Sequence, residues 1–338
     1  MKTNPSRIRG FSLIELMISI AVGLLLLTAI ATIFANSSRS QREVALSAEQ
    51  IENGRYAMDV LSEDLHHAGY WGLYSTTFTA PGAMPDPCDI TAASLATAMA
   101  LPVQGYNAPV ASLPSCLSSA NYLAGTDILV IRHASTSVAG ALTPTAMYVQ
   151  TQPVGTPIVA NGGGTFNLTM RNGTGVNVAA PVRPYDVHIY FVSPCSTAAS
   201  GTCAASDDGG RPIPTLKRLE LAVDPSDGTL KMMTVPIAEG IENFQVYYGL
   251  DADGDGAPDQ GAYSSDPGSV AGWMQAVTAQ VFVLARNTQT SPGYSDNKTY
   301  SLGPSVTVTP SGSGLSYRRH VYASLMRLKN PSERLETP

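Results

Sequence analysis

The sequence predicts an α+β fold in which one long N-terminal helix, apolar all round in its first half and amphipathic in its second, packs on an antiparallel β-sheet with large loop and β insertions. Three observations carry this. Residues 16–35 form a run of about 20 positions without a charge, which at 1.5 Å per residue spans roughly 30 Å, the thickness of a bilayer core. Beyond it Val44, Ala48, Ile51, Met58, Leu61, Leu65 and Ala68 recur at spacings of 4, 3, 7, 3, 4 and 3, which keeps them on one helical face. The chain also holds 30 Gly and 24 Pro with only 14% charged residues, and after Gly69 its apolar residues gather into short runs, the habit of sheet and loops rather than of a bundle.

The N-terminal element is justified first. Positions 1–10 carry Lys2, Arg7 and Arg9 and no acid, a positive flank that stays cytoplasmic and sends the rest of the chain outward. An ordinary secretory signal would have a shorter apolar region and an Ala-x-Ala cleavage site; Ala29, Ala31 and Ala35 leave that reading open, and Glu15 decides against it. A carboxylate at the edge of a membrane helix is costly unless paired, so it reads as functional. A continuous helix from Phe11 to Ala68 would hold about 58 residues and run roughly 87 Å, with Gly69 as its stop. Gly54, which costs about 1 kcal/mol against Ala inside a helix, is expected to mark a bend.

The phrase Gly10-Phe11-Ser12-Leu13-Ile14-Glu15-Leu16 after a short basic leader resembles the processing site of type IV prepilins. The resemblance implies that a prepilin peptidase cuts between Gly10 and Phe11, methylates the new N-terminal Phe11, and leaves Glu15 at the fifth mature position as the assembly residue. Further along, Glu52-Asn53-Gly54-Arg55-Tyr56-Ala57, with Leu61, Asp64-Leu65 and Ala68-Gly69-Tyr70 after it, is similar to PilW-type minor pilins. So are Gly240-Ile241-Glu242-Asn243-Phe244-Gln245-Val246-Tyr247-Tyr248-Gly249 before an Asp-rich loop, and the closing stretch from Arg318-Arg319-His320-Val321-Tyr322 to Arg327-Leu328-Lys329-Asn330. Residues 75–125 and 193–213 show no such likeness.

The resemblance implies a type IV pilin-like fold divided into a leader (1–10), a transmembrane and assembly half-helix (11–35), an amphipathic half-helix (36–69) and a periplasmic β-rich domain (70–338). It implies a minor pilin that helps initiate a type IV pilus and sits at or near its tip, serving motility, adhesion and DNA uptake. The protein would begin as a single-pass inner-membrane precursor and end at the tip or base of the surface fibre. Other minor pilins, the major pilin, the prepilin peptidase, the inner-membrane pilus assembly machinery and a tip adhesin are the partners this implies. Because the topmost pseudopilin of related systems lacks the acid, the presence of Glu15 implies a place just beneath another minor pilin. A pseudopilin of a type II secretion system shares the leader and helix and is the alternative.

The β-rich part is read from short runs bounded by Gly, Pro, Asn or Asp. Strands are expected at 127–133, 146–150, 166–170, 187–192, 216–223, 230–235, 241–248, 276–285 and 321–328. Asp224-Pro225-Ser226-Asp227-Gly228 joins two of them as a hairpin. Residues 75–125, rich in Ala, Ser, Thr and Pro without a sustained period, are expected as long surface connections.

Cys88, Cys116, Cys195 and Cys203 all lie beyond the membrane run, on the side predicted to be oxidising, where four cysteines allow three disulfide connectivities. Nearest-neighbour pairing, 88 with 116 and 195 with 203, would stabilise by about 3.6 and 2.6 kcal/mol on chain-entropy grounds. A zinc site is the competing use of these residues, but neither pair has Cys-x-x-Cys spacing.

The strongest chemical motif is Asp251-Ala252-Asp253-Gly254-Asp255-Gly256-Ala257-Pro258-Asp259. Asp251, Asp253 and Asp255 at loop positions 1, 3 and 5, Gly256 at the sharp turn, the carbonyl of Ala257 at 7 and Asp259 at 9 are the hard oxygen ligands of Ca2+. Position 12 departs from the pattern, since Ala262 stands where a bidentate Glu is expected. Asp266 or another segment completes the shell, or the loop is an acidic turn that solubilises a hairpin.

Other functions find no residues to carry them. A net charge of -6 gives no general nucleic-acid binding. There is no Gly-x-Ser-x-Gly, no His-Glu-x-x-His, and Gly162-Gly163-Gly164 lacks the Lys-Ser/Thr of a phosphate loop, so the chain reads as no enzyme. A membrane-tethered, metal-dependent hydrolase using the Asp cluster is the remote alternative. His66 and His67, adjacent on a helix, point apart and suit a solvated helix end. Arg318, Arg319, Arg327 and Lys329 read as the charged border of a strand.

Overall fold

The computed structural model describes residues 10–109, 112–261 and 263–336, so the leader before Gly10 and Ala262 of the Asp loop lie outside the described residues. The chain falls into two units, Met1–Ala48 and Glu49–Pro338. Helix α1 (Leu13–His67) belongs to both.

In the first unit the apolar half of α1 leaves its large side chains in the open: Leu13 is 76% exposed, Leu25 70% and Phe34 73%. An all-round apolar helix has no use for water, and this segment is long and apolar enough to cross a membrane.

In the second unit the same helix becomes amphipathic and ends at Gly69, whose φ of +70° only glycine adopts without strain. Its N–H donates to the Arg132 carbonyl at 2.9 Å, tying the helix exit to the sheet. The buried face differs from the expected stripe in its earlier turns. Met58, Leu61, Leu65 and Ala68 are buried, but Ile51 is 44% exposed and Val44 67%, while Gln50 and Gly54 are covered instead. Gln50 donates its side-chain N–H to the Ala285 carbonyl at 2.8 Å, a polar contact that apolar periodicity cannot reveal. Gly54 is a close-packing site: a Cβ there would stand 2.2 Å from the Tyr322 ring, and α1 runs unbroken through it. The expected bend is replaced by this close approach.

Two antiparallel sheets come next along the chain. The larger has seven strands, β1 (Val103–Tyr106), β2 (Ile128–Ala134), β3 (Met147–Gln150), β4 (Ile158–Asn161), β7 (Val182–Ser193), β8 (Thr215–Val223) and β9 (Leu230–Glu239). Between β4 and β7 a separate ribbon pairs β5 (Thr169–Arg171) with β6 (Asn177–Ala179). Strand β7 is the hub: residues 182–184 pair with β3, 185–190 with β2 and 188–193 with β8. The smaller sheet runs in the order β11 (Tyr263–Ser264), β10 (Ile241–Leu250), β12 (Ala276–Arg286) and β15 (Arg319–Arg327). Strands β13 (Tyr300–Ser301) and β14 (Thr307–Val308) make a two-stranded ribbon. All nine expected strands overlap observed ones, although 166–170 shrinks to β5. The strands not foreseen hold two to four residues, too few to show a period.

Period-two alternation divides the core. Leu129 and Ile131 of β2 and Tyr190 and Val192 of β7 face α1 and the smaller sheet, joining Leu61, Leu65, Phe244, Val246 and Val281. Ile128 and Val130, with Val187, Ile189 and Phe191, face a second core built with Trp71, Leu95, Met99, Leu117 and Tyr122. Residues 75–125 are therefore more than surface connection. A short helix, α2 (Ala92–Ala98), capped by Thr91, brings Leu95 into this second core, and strand β1 extends the larger sheet beside β2. Small and polar residues around a few anchors carry no sustained period, which is why this layer reads as loop.

The C-terminal basic residues also need correction. Arg319 is no exposed strand border: its side chain is 1% exposed and meets Glu242 at 2.9 Å and Asp296 at 3.1 Å. It also donates to the Gly314 and Tyr317 carbonyls. A buried guanidinium is tolerated because acids from distant segments, together with carbonyls just ahead of it in the chain, meet its donors.

Candidate functional site

Gly10 and Phe11 are exposed just before α1, and Glu15 is exposed in its first turn, with the Ser19 hydroxyl donating to the Glu15 carbonyl at 2.8 Å. A carboxylate in a first turn sits favourably at the positive end of the helix dipole. Around it Leu13, Ile14, Leu16, Met17 and Ile18 are all more than half exposed, so the acid stands in an apolar sleeve. The chemistry on offer is recognition of a short extended segment at Gly10 and Phe11, and charge pairing by Glu15 in an apolar medium.

The Asp loop links β10 to β11. Asp251 is buried and orders the turn, accepting the Gly254 N–H at 2.7 Å on one oxygen and the Gly256 N–H at 2.8 Å on the other. Asp255 accepts the Ala257 N–H at 2.8 Å, and Asp259 the Ala252 N–H at 2.9 Å. Carboxylate oxygens of Asp251, Asp253 and Asp255 lie within 4.8 Å of one another, with Asp253 and Asp255 exposed. The Asp253 carboxyl is held above its ordinary value: the Asp255 N–H favours its charged form, but repulsion from Asp255 and Asp259 and desolvation outweigh that. Asp266 accepts the Gly268 N–H in a turn of its own and is not among the converging oxygens. The segment lying against the loop is the C-terminal helix (Lys329–Leu335), whose Ser332 hydroxyl donates to the Gly256 carbonyl and beyond which Glu336 pairs with Arg327 at 2.6 Å.

The cysteines pair as nearest neighbours, Cys88 with Cys116 and Cys195 with Cys203, at Cα separations of 5.5 and 5.6 Å. The first clamps the α2 layer beside the second core; the second closes the loop between β7 and β8.

One cluster escaped the sequence reading. Asp64 in the last turns of α1 receives His133 Nε2 at 2.9 Å and His188 Nδ1 at 2.7 Å. His133 lies two residues beyond Ile131 in β2 and His188 two before Tyr190 in β7, so alternation points both rings at the helix. Burial alone would raise the Asp64 carboxyl, but hydrogen bonds from both rings and their charges hold it well below the usual carboxylate range. Burial alone would lower His133; Asp64 and Asp186 raise it instead. Period two was the available signal, but the partner acid on a helix 69 residues away was not visible.

Residues 5–31, which take in Arg7 and Arg9 of the leader, Gly10, Phe11, Glu15 and most of the apolar half of α1, match the prokaryotic N-terminal methylation motif. Residues 189–330, from β7 to the C-terminal helix, match the family of the type IV pilus-assembly protein W, PilW. The chain matches a PilW-type pilin with a prepilin leader. No curated protein and no solved structure matches it. The leader motif and the one helix among the described residues that is long and apolar enough to cross a membrane fit a single-pass inner-membrane anchor. Pilins of this type associate with other pilus components and are substrates of a prepilin peptidase, and the PilW family is in general non-enzymatic.

Proposed function

We propose that this type IV pilus-related minor pilin helps initiate pilus assembly and sits at or near the fibre tip, with its β-rich body periplasmic before assembly. The observation that carries the reading is the exposed apolar half of α1 with Glu15 at its start. Such a surface is stable only in lipid or among like helices, so one segment serves both as membrane anchor and as fibre contact. The second unit, 49–338, is a large head with two disulfide-pinned loops, better suited to a low-copy position at a fibre end than to a close-packed repeat. Exposed loops at a tip would serve adhesion, motility and DNA uptake, and a tip adhesin is a natural neighbour.

Processing tests the reading. The peptidase must accommodate a residue without a side chain at the cut, so Gly10→Val should leave full-length precursor in the inner membrane, while the normal chain begins at a methylated Phe11 by mass spectrometry. A normal mature terminus in Gly10→Val would overturn the assignment. Deletion scored for surface pili and for exoprotein release together separates a pilus subunit from a type II secretion pseudopilin.

We further propose that the Asp loop takes Ca2+, on the ground that three carboxylates converge there and repel one another. Asp251, Asp253, Asp255 and Asp259, with the Ala257 carbonyl, are the chain's own ligands.

A further inference from the structure

The cluster at the end of α1 belongs neither to the processing site nor to the Asp loop, and it has the chemistry of a metal centre. Its ligand atoms, one each from Asp64, His133 and His188, lie within 4.8 Å of one another. Asp64 and His133 are buried and His188 is half-buried. The chain has five histidines, and three of them, His67, His133 and His188, border one cleft.

The orientation of His133 is the telling feature. Its Nδ1 stands 3.1 Å from the Ala134 carbonyl and 3.6 Å from the Asp186 carboxylate, two groups that only accept. Nδ1 therefore carries the hydrogen. That leaves Nε2 as the ring nitrogen facing Asp64 Oδ1, at 2.9 Å, where the position between them takes a proton or a metal ion in its place. His188 Nδ1 meets the second oxygen of the same carboxylate at 2.7 Å. A metal-bound histidine is typically held in this way, with its other ring nitrogen fixed by a carbonyl or carboxylate.

We propose that Asp64, His133 and His188 bind one divalent transition-metal ion of the zinc type. Two imidazoles and one carboxylate are a borderline N2O donor set, suited to Zn2+ and unsuited to Ca2+ or Mg2+, which prefer all-oxygen shells. The fourth position opens on a cleft of about 390 Å³ walled by Tyr56, Val60 and Pro236, with the His67 ring centre 5.8 Å from that of His133. Arg218, also on the cleft, is engaged by Glu220 at 2.6 Å. Asp186, opposite His133 in the β2–β7 register and 3.6 Å from its Nδ1, is a positioning residue that acts on the imidazole through its charge. The ion would staple the end of α1 to β2 and β7, wherever the subunit sits in a fibre.

The test uses the full chain in detergent, stripped by a chelator and titrated with Co2+ as a spectroscopic stand-in for Zn2+. One equivalent should produce the visible bands of a four- or five-coordinate nitrogen and oxygen site, and one equivalent of Zn2+ should bleach them. His188→Gln should weaken binding by more than about 100-fold and Asp186→Asn by about tenfold, since outer partners alone are worth 10–100-fold. Asp253→Asn with Asp255→Asn should leave the bands unchanged. Wild-type protein that yields no such bands overturns the proposal without recourse to any variant. So does a Co2+ spectrum that His188→Gln leaves intact.

Discussion

Asp127 stitches the two sheets together. Its carboxylate accepts the Ala108 N–H at 2.9 Å and the Val246 N–H of β10 at 2.8 Å, while its own N–H donates to the Phe244 carbonyl. Burial pushes its carboxyl up to about 6, outweighing the two backbone donors that favour the charged form. The folded protein thus holds this proton more tightly than the unfolded chain. Its stabilising contribution is full below about pH 4 and is lost as pH rises through about 6, by at most about 3 kcal/mol. Asp127→Asn should flatten that part of the stability curve when chemical unfolding of wild type and variant is compared from pH 4 to 7; parallel curves would exclude Asp127 as the group. At this scale, contiguity decides what a sequence reveals. Gly10, Phe11, Glu15 and the loop acids stand together in a few residues. Asp64, His133 and His188 meet only through strand register and helix packing, and Arg319 looks like a surface charge until Glu242 and Asp296 are seen around it.

Among the elements, those with a period or a strong punctuation mark were legible. The hairpin at 224–228, the β10 and β12 strands and the helix stop at Gly69 arise from local residues alone. The α2 layer was not legible, because it is held by a few anchors and the Cys88–Cys116 bridge rather than by a repeating face. The Asp loop lies between these cases: its turn is readable, its occupancy is not. Exposed like charges gain from a cation only if the turn already points them together, and Asp251 with its two glycine N–H groups does that. Calcium binding to the folded state alone should stabilise by about 2.7 kcal/mol at 100 times Kd. Thermal melts of the purified chain with chelator and with calcium should show the shift, and Asp253→Asn with Asp255→Asn, both exposed, should abolish it without disturbing the core. An equal shift in that double variant would remove the loop as the calcium site.

For the molecule as a whole, the division of α1 between an exposed apolar half and a half that packs in the second unit's core sets the question that assembly must answer. When apolar helices bundle in a fibre, the Glu15 carboxylate leaves water and needs a cation; by pilin resemblance this is the N-terminal amine of a neighbouring subunit. An acid left unpaired there would cost several kcal/mol, on the order of a broken buried ion pair. A subunit at the apex has no neighbour above it and can dispense with the acid, so Glu15 argues for a place just beneath another minor pilin. The competing role is recognition by the peptidase or extraction from the membrane. Glu15→Leu separates them: the variant should still be cleaved after Gly10, yet lose cross-links to its partner minor pilins and lower the number of pili. Cleavage with cross-links and piliation both intact would remove the pairing role and, with it, the sub-apical placement.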